Sequence, residues 1–189
     1  MTTTYRSFDH GFLVLNPMLD VPGLRSTCQS VARIYGKDVP VTCAAPASMT
    51  KSQQVDMVNC VGTVIKGGNT YTSLLNTGLV KAKTAWVTVV FAGTWVNANV
   101  MRYFSFVQDE KDILYPVVER RTGFVDATLN GVTLNTKVFK DMGGIPEQPM
   151  LQDVTRQVCS SEFELVKLGW WFRATDFGCR FKAVFGLPV

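Results

Sequence analysis

TAWVTVVFAGTWV, residues 84–96, is the most apolar run in the chain. Valine, phenylalanine and tryptophan crowd it, and these residues favour the pleated, half-buried surface of a strand. The run falls short of the ~20 residues a bilayer-spanning helix needs, so it reads as buried sheet rather than as a membrane anchor. VMRYFSFVQ at 100–108 has the same character and follows the turn-like Asn97-Ala98-Asn99. Strands therefore form the middle of the domain.

On the N-terminal side, FLVLNP (12–17) reads as a short buried strand stopped by Pro17, preceded by a mobile arm over residues 1–11. Leu24, Cys28, Val31 and Tyr35 recur at helical spacing, with Gly36 placed to end the helix. VPVTCAAPAS (39–48) interrupts with two prolines. Thr50 and Gln53 then have capping-box spacing ahead of Val55, Val58, Val61 and Ile65, and Gly67-Gly68 closes this second helix.

Beyond the central strands, DEKD (109–112) is a solvated connection, and Asn130-Gly131 within GFVDATLNGVTLNTKVF (123–139) is a hairpin signal. GGIPEQP (143–149) breaks the chain before a helix over 150–169, where Leu151, Val154 and Val158 share a face and Ser161 with Glu164 marks a restart. In the last segment Trp170, Phe172 and Ala174, then Cys179, Phe181, Ala183 and Phe185, alternate with Arg173, Arg180 and Lys182 about a turn at Asp176-Phe177-Gly178. That pattern predicts a C-terminal β-hairpin with an apolar inner face and a cationic outer one. The fold expected is a single α+β domain over residues 1–189: a central mixed or antiparallel sheet covered by about three helices.

Composition narrows the chemistry. With 47% apolar and 18% charged residues the chain is apolar for its class, and a net charge of +4 selects no particular partner. Five cysteines form an odd set without a C-x-x-C pair, so neither a disulfide framework nor a zinc ribbon is expected. His10 is the one histidine and falls in the arm, which leaves serine–histidine and cysteine–histidine arrangements without a base. KGGNT and DMGGIP match neither phosphate-loop pattern, and Asp176-Phe177-Gly178 lacks every companion of the kinase metal motif. No catalytic residue, metal ligand or cofactor is assigned, and a non-enzymatic protein is expected.

The residues singled out are cationic. Arg120, Arg121, Lys167, Arg173, Arg180 and Lys182, with the amphipathic indole of Trp171, form a candidate contact for an anionic membrane or a nucleoprotein. Nucleic acid is a possible partner of the same set but not the favoured one. Tyr115, Pro116 and Val118 in YPVV match a tyrosine-plus-hydrophobic sorting or budding signal. A cysteine thiolate enzyme is a further alternative, requiring a thiol beside a cation or a helix N-terminus.

SEFELVKLGWWFRATDFGCRFKAVF (161–185), a helix breaking at glycine into an antiparallel pair, together with the order of elements before it, resembles the matrix proteins of rhabdoviruses. The resemblance implies a structural protein of the virion and host cytoplasm, peripheral to membrane, that self-associates into homo-oligomers and bridges an anionic membrane and a helical nucleocapsid through the viral nucleoprotein. The alternatives are a viral capsid or coat protein and an RNA-binding viral accessory protein.

Overall fold

The computed structural model describes residues 9–96, 129–148 and 154, and the backbone of short strands at 112–114, 117–119, 125–127, 164–166 and 177–179. Strand β1 (His10–Leu15) is buried along its whole length. It pairs in parallel with β2 (Val41–Pro46) on one side and with β4 (Trp86–Phe91) on the other. β2 in turn pairs in parallel with β3 (Thr63–Gly67). Beyond β4 lies β9 (Thr133–Asn135), antiparallel both to β4 and to β6 (Asp112–Leu114), and β6 pairs in parallel with β10 (Glu164–Val166). The seven-stranded order is β10-β6-β9-β4-β1-β2-β3. Two small ribbons complete the strands: β5 (Thr94–Val96) with β11 (Phe177–Cys179), and β7 (Val117–Glu119) with β8 (Val125–Ala127).

Helix α1 (Val21–Tyr35) connects β1 to β2, α2 (Lys51–Val61) connects β2 to β3, and α3 (Tyr71–Lys81) connects β3 to β4. Parallel crossovers are right-handed, so the direction of travel across the sheet decides which face a helix covers. From β1 to β3 the chain moves one way, which puts α1 and α2 on one face. From β3 to β4 it crosses back over β1, which puts α3 on the other. The core follows that split. Phe12, Val14, Cys43, Ala45 and Val90 join Leu24, Val31 and Met57 in one cluster, while Leu13, Leu15, Ala44, Val89 and Phe91 join Leu74, Leu75 and Leu79 in the second. Alternate residues of one strand thus feed opposite layers, with each fully buried large side chain contributing roughly 1.5–3 kcal/mol. Phe139 of α4 (Thr136–Asp141) fills the second layer.

A single mixed-sheet domain under helices is what the sequence predicts, with α3 and α4 completing the cover. Several local expectations are corrected. His10 lies in β1, not in an arm. The second helix does not reach Ile65: its capping box forms, but Gly62 at φ 75 stops it and frees Thr63–Gly67 as a strand. Val55 and Val58 consequently stand exposed, and Met57 is the buried anchor. The run at 84–96 is two strands, broken at Ala92-Gly93 with Gly93 at φ 90. Asn130-Gly131 turns without making a hairpin, because β9 pairs with β4 and β6 while β8 pairs with β7. Glu164–Val166, expected as helix, is a strand, and Phe177 and Gly178, expected in a turn, join Cys179 in a strand that pairs with β5. The other residues of the expected C-terminal hairpin, of VMRYFSFVQ and of Asn97-Ala98-Asn99 lie outside the described residues.

Gly78 illustrates how tightly α3 sits on β1. A Cβ there would stand 2.6 Å from both Cδ atoms of Leu13. Gly78→Ala should therefore lose about 1–3 kcal/mol to overpacking despite alanine's better helix propensity, read as a lower urea midpoint at unchanged m.

His10 supplies a second test. Its Nε2 lies 2.8 Å from the Thr88 hydroxyl, which lies 2.7 Å from that of Thr133, so a polar chain crosses three strands inside the core. Burial lowers the imidazole pKa from 6.5 to about 3. The unfolded chain takes up a proton below pH 6.5 that the native chain refuses until about 3, so this contribution to stability is lost as pH falls through that window. Between pH 7 and 5 the loss is about 2 kcal/mol, and it should vanish in His10→Gln; equal pH slopes in the two proteins would contradict it.

Candidate functional site

In open sheets of this kind, ligands bind beyond the carboxyl ends of the strands where the strand order reverses. Here the reversal falls between β1 and β4: the chain leaves β1 toward β2 and returns beside β1 as β4. Two loops flank that point. One is Asn16 to Asp20, leading into α1, and the other is the Ala92-Gly93 turn, leading into β5.

The first loop is built by its own side chains. Asn16, fully buried, accepts from the Asp20 N–H at 2.8 Å and donates through Nδ2 to the Asp20 carbonyl at 3.2 Å. Asp20 in turn caps α1, its Oδ1 accepting from the Gly23 N–H at 2.9 Å. Leu19 is held at φ 56, a left-handed conformation costly for a side chain of its shape. The turn is tied down just as firmly. Thr27 Oγ1 donates to the Gly23 carbonyl and accepts from the Gly93 N–H, both at 3.1 Å. Asn130 Oδ1 accepts from the Phe91 N–H at 3.0 Å and from the Thr94 hydroxyl at 3.1 Å. Ser30 Oγ accepts from the Val96 N–H at 3.0 Å while donating to the Thr27 carbonyl at 2.8 Å.

The two loops meet at Gly23. A Cβ there would strike the Asp20 carboxylate and would lie 2.9 Å from the Gly93 nitrogen, so this close approach requires glycine. The outcome is a rigid floor whose buried polar atoms are engaged internally, under an open side where Met18 and Trp95 are exposed. Such a floor fixes the position of a ligand without reorganising when it arrives.

The sequence points to few of these residues. Asn16, Asp20, Thr27 and Ser30 belong to no motif, and the roles of Thr27 and Ser30 depend on β4 and β5 arriving from over sixty positions away in the chain. The side chain of Asn130 carries the tie, where the dipeptide signals only a turn. Of the residues singled out from sequence, Arg120, Arg121, Lys167, Trp171, Arg173, Arg180, Lys182, Tyr115 and Pro116 lie outside the described residues, and Val118 is placed by its backbone alone in β7. Cysteine nucleophiles gain no support. Burial, with the neighbouring thiols adding to it, pushes Cys28 and Cys43 up to about 12, so both stay as neutral thiols. Among the described residues no group of histidine, cysteine, aspartate and glutamate side chains could hold a metal ion, and no helix is long and apolar enough to cross a membrane.

No protein-family model matches the chain, and no curated protein matches it in sequence. Solved structures do match it in fold. A 4-diphosphocytidyl-2C-methyl-D-erythritol synthase superposes with TM-score 0.60 at 14% identity, covering 95% of this chain and 97% of that one. The bifunctional IspDF of Campylobacter jejuni gives 0.58 at 13% identity over 84% of this chain, which spans 48% of that longer protein. A cytidylyltransferase from Leptospira borgpetersenii serovar Hardjo-bovis gives 0.58 at 11% identity over 84% of this chain and 74% of that one.

The chain therefore shares the fold of cytidylyltransferases, and the resemblance to rhabdovirus matrix proteins is overturned. That resemblance rested on the order of elements, and the order is a mixed sheet whose strands β1 to β4 are parallel and joined by crossover helices. The non-enzymatic structural role, the capsid alternative and the virion or membrane-peripheral location fall with it.

Thr27→Val tests the floor. The replacement keeps the shape but leaves the buried Gly93 N–H without its acceptor, at a cost of about 1–3 kcal/mol. Loss of hydrogen-exchange protection at Gly93 should accompany the lower stability.

Proposed function

We propose that the chain is an enzyme that binds a nucleoside triphosphate in the crevice between the carboxyl ends of β1 and β4 and transfers its nucleotidyl group. The observation that carries this reading is the strand-order reversal at β1, with its two internally braced loops, in a chain that shares the fold of cytidylyltransferases. In such a transfer an acceptor oxygen attacks the α-phosphorus, the bond to the bridging oxygen breaks, and pyrophosphate leaves with that electron pair. There is little covalent work for the protein to do, so catalysis consists of alignment and charge stabilisation.

This chain's residues account for alignment. The Asn16–Asp20 clamp and the Thr27 tie hold the two loops at fixed separation, and Gly23 lets them approach without a side chain between. Divalent cations that accompany nucleotide phosphates are held by one or two carboxylates besides the phosphates themselves. The described strand ends do not fit that requirement. Asn16, Ala47, Gly68 and Ala92 follow β1, β2, β3 and β4, and the nearby Asp20 is committed to the α1 cap. No step is therefore routed through a protein-held metal.

Calorimetric titration with CTP, UTP, ATP and GTP is the direct test. At least one triphosphate should bind with unit stoichiometry, CTP being the first choice from the shared fold. An acceptor that completes the reaction should release pyrophosphate from the bound nucleotide. Absence of binding by all four would overturn the reading.

A further inference from the structure

The strand ends that disfavour a metal site carry a different charge pattern. Arg25 is the fifth residue of α1, Lys51 opens α2, and Lys66 is the penultimate residue of β3. Because β1, β2 and β3 are parallel and each helix begins where its strand ends, all three cations stand at the carboxyl edge of the sheet. All three are exposed, and none has an ion-pair partner among the described residues. The acids at that edge do not offset them. Asp20 is engaged by the Gly23 N–H, and Glu147 belongs to the segment that crosses α3 on the opposite face, where the Gln148 N–H donates to Thr72. At the other edge cations and acids mix: Lys37 sits beside Asp38, and Lys81 and Lys83 lead into Ala85, whose N–H donates to Asp9 Oδ2 at 2.9 Å.

We infer that this site meets the polyphosphate of its nucleotide with the side-chain cations Arg25, Lys51 and Lys66, and not with a divalent cation held by carboxylates of the described strand ends. The inference rests on the nucleotide reading above and adds to it the chemistry of recognition. Three unpaired cations on three separate elements suit an extended chain of phosphates, and exposed lysines act on phosphate as point charges that need no fixed fork geometry. Asp20 is then a structural cap. Asparagine caps equally well, so its charge is dispensable.

The experiment titrates the full chain with CTP and, separately, with inorganic tripolyphosphate, each in magnesium and in excess EDTA. The expected Kd in EDTA stays within about threefold of the magnesium value, and raising the salt concentration weakens binding steeply, as counterion release demands. The triple variant Arg25→Gln, Lys51→Gln, Lys66→Gln should lose at least tenfold in affinity for both probes. A control with the same charge change at the opposite edge, Lys37→Gln, Lys81→Gln, Lys83→Gln, should bind as the parent does. Circular dichroism of each variant checks that these exposed substitutions leave the fold intact. Binding abolished by EDTA, or equal losses in the two triple variants, would overturn the inference while leaving the nucleotide reading in place. Tripolyphosphate binding without binding of any nucleoside triphosphate would sink the nucleotide reading and keep the cation set.

Discussion

β1 hydrogen-bonds in parallel to β2 on one side and to β4 on the other, and both of its faces are buried. A strand in that position has no solvent-facing side, which explains the unbroken apolar run from Phe12 to Leu15. It also dictates the layers. Right-handed crossovers that depart from β1 in one direction and return to its other side must cover opposite faces of the sheet. The split core, the placement of α1 and α2 against α3, and the crevice at the carboxyl ends of β1 and β4 all descend from this one pairing.

Side-chain hydrogen bonds finish what the ladder begins. The floor of the crevice uses Asn16, Thr27, Ser30 and Asn130 to satisfy backbone groups that leave the regular ladder at the ends of β1 and β4, and the Thr94 hydroxyl donates to the same Asn130 oxygen. Each such bond adds about 1 kcal/mol net, whereas an orphaned buried N–H costs more than that, so these residues are held by the penalty of removal. Rigidity follows, since a floor without spare donors or acceptors has no second arrangement of similar energy. A transferase that works by alignment needs such a floor.

Local signals in the chain are legible where the relevant physics is local. Leu24 to Gly36 reads as a helix because its apolar stripe and its stop fall within one window, and the Thr50–Gln53 box forms both of its hydrogen bonds. FLVLNP reads as a buried strand for the same reason. VTCAAP does not, because Pro46 masks a strand whose small residues are explained by the helices packed on either face. The third helix is hidden by Thr72, Asn76 and Gly78. Each serves a tertiary contact: Thr72 accepts from Gln148, Asn76 clasps the backbone of Ile145, and Gly78 admits Leu13. The candidate site was illegible for a related reason. Its parts lie at separate strand ends and assemble only once the strand order is known, so charge counting favoured the C-terminal cations instead.

The nucleotide reading and the cation set both depend on the ligand lying at the carboxyl edge of the parallel strands. Amide chemical-shift mapping of isotope-labelled protein during titration with CTP locates the ligand most directly. The account predicts that the largest changes fall in residues 16–25, 47–51, 66–70 and 92–95, the loops that follow β1, β2, β3 and β4. Changes centred on residues 37–40 and 82–85, at the amino edge of the same strands, would contradict it.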